Sequence, residues 1–183
     1  MKRFLLFIAC AVLSTASFAQ FTGLEVEVYQ VHDGSLPALE GMTTYRLYAN
    51  FADPDDFVSA MSGLQGEPLK IRTSTSFYQS PAGGDAGFQI NPAIFAFVPE
   101  AEFDSFMTIG VDDSNDPGQN ITIIDDTQES WLAPFNAGED LIIDGLVGGA
   151  WFVTFGATTV NAFAGPEGRV LLGQFTTDGT FDG

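Results

Sequence analysis

Leu24-Glu25-Val26-Glu27-Val28 alternates apolar and acidic residues without a break. Successive side chains of an extended chain point to opposite faces, so this stretch reads as a β-strand with one apolar and one acidic face. Thr43 to Phe51 repeats the period, with Tyr45, Leu47, Ala49 and Phe51 on one side.

The same pattern extends through the chain. Lys70 to Tyr78 is rich in β-branched and aromatic residues, and Phe106 to Val111, Asn120 to Ile124, Asp140 to Ile143, Ala150 to Phe155 and Arg169 to Thr176 follow as strands. Turn residues separate them: Ser80-Pro81-Ala82-Gly83-Gly84-Asp85, Asp112 to Gln119, Pro134 to Gly138, Gly148-Gly149 and Gly165-Pro166. Asp53-Pro54, ahead of Phe57, Val58 and Met61, and Asn91-Pro92, ahead of Ala93 to Phe97, read as N-caps followed by proline at the first position of short helical turns. Many short strands and no long amphipathic helix imply an all-β fold, a β-sandwich or jelly roll, built as a single domain over residues 20–183. Phe95, Phe97, Phe103, Phe106, Trp131, Phe135, Trp151, Phe152 and Phe155 are expected mostly to fill the layer between two sheets.

The N-terminus has a different character. Lys2 and Arg3 precede an apolar run from Phe4 to Leu13, and Ser17-Phe18-Ala19 offers a small-x-small cleavage site. The run is too short to span a bilayer, so residues 1–19 read as a cleavable signal peptide with the cut after Ala19. The expected location is the extracellular space or the cell surface. No later stretch is long and apolar enough to cross a membrane, and membrane insertion of the mature chain is not expected. Cys10 is the single cysteine and leaves with the signal, so stability must come from the core or from bound ions. With 45% of residues apolar and 18 phenylalanines, a core is within reach.

Acidic residues number 24 against six basic ones, for a formal net charge of −18. Cleavage would leave Arg46, Lys70, Arg72 and Arg169 as the only fixed cations. Such a surface repels phosphate backbones and anionic headgroups, which excludes nucleic acid as a partner. Divalent cations, glycans, cationic peptides and cell-surface proteins remain compatible.

Several stretches carry a resemblance. They are Tyr45-Arg46-Leu47-Tyr48-Ala49 with Asp53-Pro54-Asp55-Asp56, then Phe77-Tyr78-Gln79, Ile90-Asn91-Pro92, Phe103 to Gly110, Gly148-Gly149-Ala150-Trp151-Phe152 and Gly165 to Gly179. Together they resemble an uncharacterised secreted β-rich module found in exported proteins of marine and Bacteroidetes-like bacteria, over roughly residues 25 to 180. That module has no established activity, so the resemblance implies an extracellular β-rich unit and no catalytic residue. It also implies a longer protein with a sorting tail, whereas this sequence closes at Phe181-Asp182-Gly183, as a fragment of such a protein would.

The chemistry is narrowed by what the residues lack. There is no Gly-x-Ser-x-Gly elbow, and His32 is the only histidine, in Tyr29-Gln30-Val31-His32-Asp33-Gly34 at a strand end. A structural zinc site lacks its ligands. Glu25 and Glu27 share a strand face and loosely resemble the acidic strand of jelly-roll glycanases, but Tyr29 stands where a further carboxylate belongs. Calcium takes six to eight oxygens, and the loop Asp112, Asp113, Ser114, Asn115, Asp116 is the best candidate, with Asp112, Ser114, Asn115 and Asp116 as ligands. Asp53, Asp55 and Asp56, and Asp125 with Asp126, are lesser clusters. Sugar stacking would fall to Trp131, expected near the surface after the polar run from Asp125 to Ser130, and to Tyr48 and Tyr78. The expectation is an exported non-catalytic module with a structural or adhesive role, with a carbohydrate-binding module and then a glycan hydrolase as alternatives.

Overall fold

The computed structural model describes residues 20–156 and 160–183. The expected signal peptide, residues 1–19, lies outside the described residues. The chain forms β1 (Phe21–Val31), β2 (Thr43–Phe51), β3 (Ala60–Gly63), β4 (Leu69–Thr73), β5 (Phe106–Met107), β6 (Thr122–Ile124), one helical turn α1 (Leu132–Asn136), β7 (Leu141–Ile143), β8 (Gly149–Phe152), β9 (Arg169–Thr177) and β10 (Phe181–Asp182). The fold is all-β, and every pairing between these strands is antiparallel.

The principal sheet has the order β1-β2-β9-β5. Facing it are two smaller sheets, β10-β4-β7 and β3-β8-β6, where two continuous sheets were expected. The small sheets meet at Gly63, whose missing Cβ leaves room for the backbone of Leu69 and Ile143. One cluster joins the layers: Leu47, Ala49, Val170, Leu172 and Phe175 from the principal sheet pack with Ile71, Leu141, Ile143 and Trp151. Phe175 is wedged among Phe77, Phe135 and Phe181 at centroid separations of 5.5 to 6.2 Å, the tilted and offset contacts that aromatic quadrupoles favour.

The opposite face of the principal sheet is polar yet partly buried. Thr44, Gln174 and Thr176 are fully covered by the segment around the 3-10 helix Pro99–Phe103. Each polar group has a partner there: the Gln174 amide donates to the carbonyls of Glu102 and Asp104, and the Thr176 hydroxyl donates to Phe103. Satisfying these groups is what allows them to be buried at modest cost.

The strand expectations hold best where alternation was longest. β2 spans Thr43–Phe51 and β9 extends one residue past Thr176. Elsewhere the structure departs from the reading. The residues after Asp53-Pro54 form a turn closed by the Asp53 carboxylate and then β3, with no helical turn. Asn91 does cap a 3-10 turn, Pro92–Ile94, by accepting from the Ala93 N–H. Phe97 and Phe155, expected in the core, are 86% and 76% exposed.

Candidate functional site

β1 is the outermost strand of the principal sheet. In register, Leu24 faces Ala49, Val26 faces Leu47 and Val28 faces Tyr45. Directly opposed residues share a sheet face, so these three side chains lie on the core side. The small sheets cover that side over β2 and β9 and stop short of β1. Leu24, Val26 and Val28 are consequently 51%, 43% and 56% exposed. The alternation gave β1 an apolar and an acidic face, and the apolar one is left about half uncovered. At one end of the stripe a groove of about 410 Å³ runs between Leu24, Ala49 and Phe51 on the sheet and Phe57, Ala60 and Met61 beside it. Among the described residues no strand pairs with the outer edge of β1.

The other face of β1 carries its acids. Arg169 of β9 reaches across, with its guanidinium 2.6 Å from Glu27 and 3.7 Å from Glu25, and its Nε is 3.7 Å from Glu167. The guanidinium lies 4.0 Å over the ring of Tyr48. Arg46 lies likewise over Tyr29 at 3.8 Å, bonded to the Gln174 side chain and paired with Asp112 at 3.5 Å. A cleft of about 460 Å³ beside these groups gathers Arg46, Tyr48, Asp112, Asp116, Asn161 and Arg169. The structure thus brings together Tyr48 and two of the expected calcium ligands, which lie far apart in the sequence.

Their surroundings differ from the expectation. The Tyr48 ring is covered by Arg169 and barely exposed, so no sugar can stack on that face. Trp131 is 4% exposed; its ring packs on Trp151 at 6.1 Å and its indole N–H donates to the Ile124 carbonyl. Trp131 is therefore a core residue, placed there because α1 turns it inward rather than leaving it on a loop. Tyr78 is half-buried, and its backbone bonds to Thr176 and Ser105. Partial burial raises the pKa of the Tyr78 phenol.

In the loop expected to bind calcium, the carboxylates are already engaged. Asp113 accepts from the Asn115 N–H, and Asp116 accepts from the Gly118 N–H and from the Asn161 amide. Asp112 faces Arg46, and Ser114 and Asn115 point their side chains to solvent. These Asx turns explain the composition of the loop through its own backbone. Among the described residues no three His, Cys, Asp or Glu side chains converge as a metal site. In the lesser clusters Asp56 accepts from the Gln20 N–H, and Asp125 from the N–H groups of Trp131 and Leu132.

His32 is buried, its ring edge-on to Phe103 at 4.6 Å. Its Nε2 is 2.9 Å from the Thr44 hydroxyl, which is 2.7 Å from that of Thr176. Because Thr176 donates to the Phe103 carbonyl, Thr44 must donate to Thr176, and neutral His32 must carry its proton on Nε2. Burial lowers its pKa below 6.5, against a smaller opposing pull from Asp33.

The sequence reading missed Asp104. This fully buried carboxylate accepts from the N–H groups of Ser80 at 2.6 Å and Gly84 at 2.8 Å, and so holds the 80–84 turn. A side chain at Gly83 would run into it. Burial raises its pKa to about 6, with the N–H donors pulling the other way.

Comparison with known proteins finds no matching family model, no matching curated protein and no matching solved structure.

Proposed function

We propose that this protein is an exported, non-catalytic β-sandwich module with a structural or adhesive role outside the cell, acting through protein contacts on β1. The observation that carries this reading is the stripe Leu24, Val26, Val28, apolar side chains on the core side of the sheet that the small sheets leave about half exposed. Bare apolar stripes at a sheet margin serve contact with other molecules far more often than chemistry. The position of the one imidazole supports the non-catalytic part, since His32 is tied into a buried hydroxyl chain. So do Glu25 and Glu27, which stand side by side on one strand face and share one guanidinium rather than facing each other across a cleft.

The test is retention at the surface of cells that make the protein. Wild type and the combined Leu24→Ser, Val26→Ser, Val28→Ser variant are compared by labelling intact cells. Retention is expected to fall in the variant, and equal retention would overturn the reading.

Carbohydrate binding is the second reading. It is favoured by two polar clefts of about 430 and 420 Å³ that share Ser130, Trp131 and Ile142 and are lined further by Gln65, Glu129, Thr73 and Thr75. Amides, hydroxyls and carboxylates of this kind suit sugar hydroxyls. A polysaccharide array with flat binding would remove it.

A further inference from the structure

β1 lacks most of the devices by which edge strands avoid pairing. It runs for 11 residues with no proline and no lysine. Its two irregularities, between Phe21 and Gly23 and between Val28 and Gln30, sit near its ends and leave Gly23 to Val28 regular. That regular segment has two chemically different faces. On the core side Leu24, Val26 and Val28 are about half exposed. On the other side Glu25 and Glu27, together with Glu167, share the single guanidinium of Arg169, so the carboxylates outnumber their counter-charge.

A strand added at this edge places its side chains directly beside those of β1, about 5 Å away and face by face. The complement is thus specified: apolar residues at alternate positions to extend the stripe, and basic residues between them to meet Glu25 and Glu27. A second copy does not fit. Antiparallel pairing of β1 with itself would set the acids of both chains on one face, in a protein of net charge −18. On the reading of β1 as a contact surface, we infer that its free edge accepts an extended segment of a partner protein in which apolar and basic residues alternate.

The test uses the purified protein and a synthetic peptide, Thr-Val-Lys-Val-Lys-Val-Lys-Val-Thr, beside a scrambled peptide of the same composition and one with Glu for each Lys. Titration calorimetry measures affinity, and amide hydrogen exchange locates the contact. The Val/Lys peptide is expected to bind, to protect amides within residues 23–28, and to weaken as salt is raised. Affinity should fall at least about tenfold in the triple serine variant and again in Glu25→Gln with Glu27→Gln. The three apolar side chains are about half exposed, so the serine variant should keep the wild-type circular dichroism.

Equal binding of the scrambled or Glu peptide, protection away from β1, or no binding at all would overturn the inference. So would a dimer of the protein alone that the serine variant abolishes. If surface retention depends on Leu24, Val26 and Val28 while the Val/Lys peptide fails to bind, this inference falls and the adhesive reading stands. If retention is unchanged, the adhesive reading itself falls.

Discussion

Asp104 and His32 make opposite demands on pH. Asp104 has a pKa of about 6 in the fold against an ordinary 3.8, so it holds its proton more tightly folded than unfolded. Its contribution to stability is complete below about pH 4 and is lost as pH rises through 6, a change of about 3 kcal/mol for two pKa units. His32 has its pKa lowered by burial, so its contribution is present above 6.5 and is lost as pH falls through the lowered value. Asp104→Asn is expected to flatten the stability profile on the Asp104 side between pH 4 and 7. It should also lower stability below about pH 6, where the wild-type carboxyl carries no buried charge, because the amide NH₂ must face either the Ser80 or the Gly84 N–H. Urea unfolding at several pH values checks this, and a variant profile as steep as wild type contradicts it. Neither residue announced itself by pattern. A burial that sets a pKa depends on what the fold brings around the group, here the 80–84 turn and the 3-10 segment before Asp104.

At the scale of elements, Asp125 shows how an acidic cluster can be structural. Its Oδ1 accepts from Trp131 at 2.9 Å and Leu132 at 3.4 Å, and its Oδ2 from the Ser130 hydroxyl at 2.5 Å. Asp125→Ala removes these acceptors from the start of α1 and should cost about 1–2 kcal/mol. Tryptophan fluorescence during urea unfolding reads this directly, since Trp131 is at the site, and an unchanged midpoint would refute it. β2 was legible because it alternates to keep one face in the core, and β9 because Val170-Leu171-Leu172 and Phe175 form the apolar run of a strand buried on both faces. β3 was not, because its Ala60-Met61-Ser62-Gly63 has little β propensity and takes its shape from pairing with β8. β1 was read correctly as a strand, but its exposure could not be read, since alternation reports which way a side chain points and not whether a second layer reaches it. For the same reason Trp131 was misplaced: a polar run before it says nothing of the turn that buries it.

For the whole molecule, the charge and the sheet order have separate consequences. Because the loop carboxylates are bonded to their own backbone or to Arg46, the net charge of −18 should act on stability mainly as diffuse repulsion. Salt is expected to raise the melting temperature, with calcium and magnesium at matched ionic strength equally effective. A rise specific to calcium would return Asp112 and Asp116 to the role of ligands. The order β1-β2-β9-β5 places β9, from the far end of the chain, between β2 and β5. Thr43 pairs with Thr177 and Asn50 with Arg169, so the centre of the principal sheet is made from segments separated by most of the sequence. A β1–β2 hairpin can form early but finds its permanent neighbour only after β9 has been synthesised. Closing so long a loop is slow, in the millisecond-to-second class of non-local β-folds, and until then both margins of the hairpin stand open. The nascent chain therefore cannot complete its principal sheet until Thr177 has been made, however early the hairpin forms.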